Sequence, residues 1–195
     1  LTKSGNGTLF LSGSNTYTGA TTINAGTLQI SSTGILGGGS YAGAITNNGS
    51  LIYSGTNNQT LSGVISGTGA LIKGGNGTLT IAGQLQNTGA IGYTGYTMVK
   101  SGTLTVQGDV TTRWIDVGRE GNATLNISGG TLSTNSNWDY IGVFGGNGIV
   151  NISGGEWNKG VGGILYIGNA TLNISGGVFN NSGSTRVGTF NSLGS

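Results

Sequence analysis

The sequence predicts an all-β chain wound as a single-stranded right-handed parallel β-helix, a solenoid with about three short strands per coil. Three observations predict it. The phrase Asn-Ile-Ser-Gly-Gly is written three times, from Asn126, Asn151 and Asn173, at spacings of 25 and 22. A repeat of that length is one supersecondary unit that buries its apolar face only by stacking on its copies. Gly makes up 43 of 195 residues and Pro is absent, so turns are frequent while no Gly-X-Y collagen period is possible. Four segments also align on a glycine: Trp114 to Gly118, Trp138 to Gly142, Ile164 to Gly168 and Ser184 to Gly188, at spacings of 24, 26 and 20.

The elements follow in chain order. Thr8 to Leu11 and Thr27 to Ile30 each follow a glycine and read as strands, with β-branched and apolar residues alternating over four positions. Ser14 to Gly19 reads as a turn and Ala20 to Ile23 as a strand. Residues 31–60 are the loosest part, with two weak strands at Ala42 to Ile45 and Ser50 to Tyr53. The opening is then written again. Lys73 to Leu79 mirrors Lys3 to Leu9 at an offset of 70, and Val99 to Leu104 mirrors Ile23 to Leu28 at an offset of 76. The six extra residues make an insertion near 84–96, and insertions in stacked repeats leave the body as loops.

From Trp114 the repeat tightens. Each coil carries a strand ending on the aligned glycine, the strand of the repeated phrase, and a third at Thr131-Leu132, Glu156-Trp157 or Val178-Phe179. Such short strands pair with their equivalents one coil away, at a rise of about 4.8 Å. Eight or nine coils then give a rod of about 40 Å. The inward ladders expected are Leu125, Val150 and Leu172; Ile127, Ile152 and Ile174; and Val117, Ile141, Ile167 and Val187. The outward ones include Asn126, Asn151 and Asn173, whose amides donate and accept along a stack. The chain divides into coils of one type over 1–112 and of the Asn-Ile-Ser-Gly-Gly type over 113–195.

Composition excludes several functions. There is no Cys and no His, so a disulfide framework, a zinc site and a Cys or His catalyst are ruled out, and no cofactor is expected. Net charge is +2 from seven basic and five acidic groups, too weak and dispersed for nucleic acid. No run of 18 apolar residues exists, so this segment is not expected to insert in a membrane as a helix. The N-terminus lacks a signal-peptide pattern and opens mid-pattern, as a fragment of a longer chain would. The Asn-X-Ser/Thr triplets at Asn122, Asn126, Asn151, Asn169 and Asn173 fit ladder and turn positions without glycans.

The stretch Gly5 to Gly13, followed by Asn15 to Leu28, resembles the passenger-associated transport repeat of bacterial autotransporters. Lys73 to Val106 is a second, more divergent copy, and the Gly-rich coils beyond resemble others of the same passengers. The resemblance implies a type V secreted β-helix, at or released from a Gram-negative cell surface, with the repeat assisting secretion and folding. It implies a non-enzymatic stalk and an adhesive surface whose partner is a host-cell protein receptor or a surface glycan.

The residues carry two further readings. Aligning the coils puts Asp116, Tyr140, Tyr166 and Arg186 on one outward ladder, a candidate binding strip. Tyr93 and Tyr96 in the insertion are a second candidate surface. Trp114 and Trp138 are equivalent, and filling the core is the favoured reading of that pair. Asp116 and Asp139, one coil apart, are the best candidate for paired acids in the competing reading, a carbohydrate-active β-helix enzyme. No acid recurs at an equivalent position, which weighs against catalysis. Open strand ends predict end-to-end self-association.

Overall fold

A computed structural model describes residues 1–87, 95–119, 121–135 and 138–188. Among these residues the chain is a β-solenoid of three parallel faces, each pairing a strand with its equivalents one coil before and one coil after. The first face runs from Thr2–Lys3 to Val178–Asn181 and the second from Thr8–Leu11 to Ser184–Val187, nine strands each. The third runs from Ser40–Tyr41 to Ala170–Ile174 in seven strands, preceded by the pair Ser14–Asn15 and Ile35–Leu36. The predicted architecture holds, and every strand pairing is parallel.

Burial alternates along the strands because successive side chains leave opposite faces of a pleated strand. Asn122–Ile127 shows it: Ala123, Leu125 and Ile127 are buried while the residues between them are not. The register reproduces the inward ladders, Leu125 to Val150 to Leu172 and Ile127 to Ile152 to Ile174. Leu125, Val150, Ile127 and Ile152 are sealed, whereas Ile174 and Val187 lie in the last described coil and are exposed. The asparagine ladder also forms. Asn151 Nδ2 donates to Asn126 Oδ1 at 2.8 Å, and Asn173 Nδ2 donates to Asn151 Oδ1 at 2.8 Å.

Some local expectations are corrected. Residues 31–60 are as regularly paired as the rest: Thr27–Ser32 and Ser50–Gly55 align over six residues. The turn expected at Ser14 to Gly19 contains the two-residue strand Ser14–Asn15, since Asn15 Nδ2 bonds the carbonyls of Gly13 and Ile35 and holds the edge in register. The weak strand expected at Ala42 to Ile45 lies instead at Ile45–Asn47. Nearly all of the 84–96 insertion beyond Asn87, including Tyr93, lies outside the described residues.

The two copies of the opening repeat occupy different faces. Lys3 ends a strand of the first face and Thr8–Leu11 begins on the second. Lys73 ends a strand of the second face and Thr78–Ile81 begins on the third. The repeat is rotated by one face and keeps its corner. Lys3 Nζ donates to the carbonyls of Ser4 at 3.1 Å, Gly5 at 2.7 Å and Ala25 at 3.0 Å. Lys73 Nζ donates to Gly74, to Gly75 at 3.0 Å and to Ser101 at 3.1 Å. Gly26 and Gly102 follow the third carbonyl in each copy, and both have a φ of 68°. A Cβ there would stand 2.4 Å from the Gly7 carbonyl or 2.3 Å from that of Gly75, so only glycine fits.

Candidate functional site

The outer side of the second face changes character along the rod. One outward column reads Phe10, Gln29, Ile52, Ile72, Met98, Asp116, Tyr140, Tyr166 and Arg186. The predicted ladder of Asp116, Tyr140, Tyr166 and Arg186 is therefore in register. Beside it stand Tyr96, Trp114 and Trp138, each two residues before a member of the first column. The chain has three Trp, seven Tyr and four Phe. Two of the Trp, three of the Tyr and Phe144 gather on this one strip.

Tyr96 and Trp114 stack with centroids 4.6 Å apart and planes 11° apart, and Tyr140 stacks on Tyr166 at 5.3 Å and 14°. Trp114 meets Tyr140 edge-on at 6.4 Å and 89°, which joins the columns. Stacking covers one face of each ring in these two pairs, and Trp138 is the half-exposed ring of the strip. Arg186 lies 5.9 Å from the Tyr166 centroid, and Arg119 lies 5.3 Å from that of Tyr140 and 4.5 Å from that of Phe144. A groove of about 400 Å³, lined by Met98, Lys100, Arg119 and Gly121, borders the strip.

The reading of Trp114 and Trp138 as core residues is overturned. Ile115, Val117, Asp139 and Ile141 point inward, so the period of two sends both Trp outward, and Trp138 is 47% exposed. Asp116 points outward as expected but is not solvent-exposed. The Arg119 guanidinium folds over it, with Nη1 3.2 Å from Oδ2. Tyr96 joins the strip rather than a separate insertion surface. Tyr93 falls outside the described residues.

Asp139 is the residue that sequence reasoning placed least well. It sits opposite Ile115, inside the rod, while Asp116 lies on the outer side of the same sheet. The two carboxylates point to opposite sides of a sheet and form no solvent-facing pair. Asp139 accepts from the Ile115 N–H at 2.9 Å and from Thr134 Oγ1 at 2.8 Å, and Lys159 Nζ stands 3.3 Å from its Oδ2. Trp157 Nε1 reaches Thr134 Oγ1 at 3.5 Å. Burial pushes the Asp139 carboxyl above the ordinary carboxylate range, against the Ile115 N–H, the Lys159 charge and the Thr134 hydroxyl, which pull it down. The period of two, carried back from Ile141, was the signal that places Asp139 inside.

Among the described residues no group of three or more potential ligands is arranged to hold a metal ion, and no helix is long and apolar enough to cross a membrane. In comparison with known families, the passenger-associated-transport-repeat matches residues 1–30 and 71–106. These are the two stretches that carry the rotated corner. No curated protein and no solved structure matches the chain.

Proposed function

We propose, from the premise that the chain is an autotransporter passenger segment carrying two passenger-associated-transport-repeats, that it is a non-catalytic stalk whose aromatic strip docks an extracellular protein receptor. Such passengers are secreted or exposed at the cell surface, so the partner is met outside the cell. The observation that carries the docking reading is the gathering of Tyr96, Trp114, Trp138, Tyr140, Phe144 and Tyr166 on one outer face, bordered by Arg119 and Arg186. Tyr, Trp and Arg dominate protein hot spots, and the rigid rings of Tyr and Trp bury large area at low entropic cost. Stacking fixes these rings before binding, which lowers the ordering cost further.

Ring orientation favours a protein over a glycan. Tyr96 on Trp114 and Tyr140 on Tyr166 cover one another's faces, while a sugar needs a free ring face. The fitting partner offers an apolar patch edged by carboxylates, complementary to Arg186 and the half-buried Arg119. The test compares binding to host cells of the parent with a Trp138→Ser, Tyr140→Ser, Tyr166→Ser variant. A tenfold or greater loss is expected, with unchanged binding for Glu156→Gln and Asn158→Ala on the first face. Equal binding by the triple variant overturns the strip. Binding that survives protease treatment of the cells and vanishes with glycosidase redirects the reading to a glycan. The carbohydrate-enzyme alternative loses its proposed machinery, because Asp116 and Asp139 lie on opposite sides of a sheet.

A further inference from the structure

The interior corner around Asp139 gathers an acid, an amine, a backbone donor and a hydroxyl. Asp139 and Lys159 are both without solvent exposure, and their side chains lie 3.3 Å apart, Nζ to Oδ2. Oδ1 is fixed by the Ile115 N–H at 2.9 Å, and the Thr134 hydroxyl stands 2.8 Å from Oδ2. Each participant sits on a different strand of the solenoid, so none moves without disturbing a sheet. We propose that Lys159 and Asp139 close an intramolecular isopeptide bond, which staples strand Trp138–Ile141 to strand Glu156–Lys159.

The step balances as a condensation. The ammonium of Lys159 passes a proton to the carboxylate, leaving a neutral amine beside a carboxylic acid. The Nζ lone pair attacks Cγ, and the carbonyl electron pair moves onto Oδ1. There the Ile115 N–H already points, as a donor aimed at developing negative charge. When the carbonyl re-forms, the Cγ–Oδ2 bond breaks. Oδ2 departs as water, with the acid proton and one proton from Nζ, beside the Thr134 hydroxyl. One amide forms, one water leaves, and nothing is oxidised or reduced. Burial pushes the Asp139 carboxyl above its ordinary range, and so favours the acid form that the attack requires. Holding the two groups together converts a slow bimolecular step into a unimolecular one, at an effective concentration on the order of 10⁵ M or more. A chain without cysteine gains by this route a cross-link that no disulfide supplies.

Intact mass spectrometry tests the proposal. The bond removes about 18 Da from the mass of the chain. It also blocks trypsin at Lys159, so the product is one peptide, 120–186, carrying the same deficit. The variant Lys159→Arg keeps a cation opposite Asp139, cannot form the amide, and is expected at full mass. A parent chain at full mass, cut into 120–159 and 160–186, overturns the proposal and leaves an ordinary buried ion pair. A deficit that persists in Lys159→Arg overturns the assignment to this lysine.

Discussion

In the coils up to Val106, buried cations end on the backbone. Lys3 and Lys73 each reach three carbonyls, two in their own corner and one in the corner a coil further on. In the coils beyond Trp114, the buried cation Lys159 ends on a side chain, the carboxylate of Asp139. The outer side differs as well. The early column is Phe10, Gln29, Ile52 and Ile72, and the later strip is aromatic with arginine at its borders. A lysine capped by carbonyls asks only for a corner, so that device works on whichever face the chain presents. A lysine capped by a carboxylate needs particular residues on several strands, and it belongs to one place. The matched repeats build a rod, and the later coils add a surface and a sealed polar cluster to it.

Breaking the later device has the largest expected effect. Asp139→Ala leaves the Lys159 amine buried with neither the carboxylate nor the cross-link, and destabilises the fold by about 3–5 kcal/mol, read from the urea midpoint. The same measurement on Lys73→Met sharpens the contrast. Methionine fills the space of the stem but removes the donors and the ammonium 5.8 Å from the Tyr53 ring centroid, at a cost of about 1–3 kcal/mol. Equal losses would show that the carboxylate site is no more specialised than the carbonyl corner.

The pH dependence separates the two devices further. Burial lowers the Lys73 amine from 10.5 to about 8. Between those values the unfolded chain holds a proton that the folded chain has released, so this group makes stability rise with pH. Above pH 10.0 the tyrosines oppose it. Burial raises Tyr17, Tyr53 and Tyr96 above that value, so the unfolded chain ionises first and stability falls. Urea midpoints from pH 7 to 10 are expected to climb in the parent and to lose that rise in Lys73→Met. The smallest effect is on the outer polar ladder. Asn151→Ala breaks the bonds to both Asn126 and Asn173 and costs about 1 kcal/mol, because water replaces part of what is lost.

Much of the fold was legible in the sequence because a solenoid repeats its local rules. The spacing of the Asn-Ile-Ser-Gly-Gly phrase located the coils, and the period of two within it sorted Leu125 and Ile127 inward and Asn126 outward. The ladder of Asp116, Tyr140, Tyr166 and Arg186 was legible for the same reason. Trp114 and Trp138 were misread because their hydrophobicity was weighed above their parity. Asp139 shows the converse, a charged residue that parity places inside and hydrophobicity would not.

The sequence by itself determined the coil, its three short strands and the residues that line its ladders, since these depend on spacing and alternation along the chain. The tertiary structure decided what spacing does not carry. It rotated the second repeat by one face, because three near-equivalent faces accept the same glycine and lysine corner. It turned the tryptophans out beside the tyrosines, and it folded Arg119 over Asp116. It also brought Lys159 from the next coil to Asp139, a meeting across twenty residues of chain that only the winding of the rod creates.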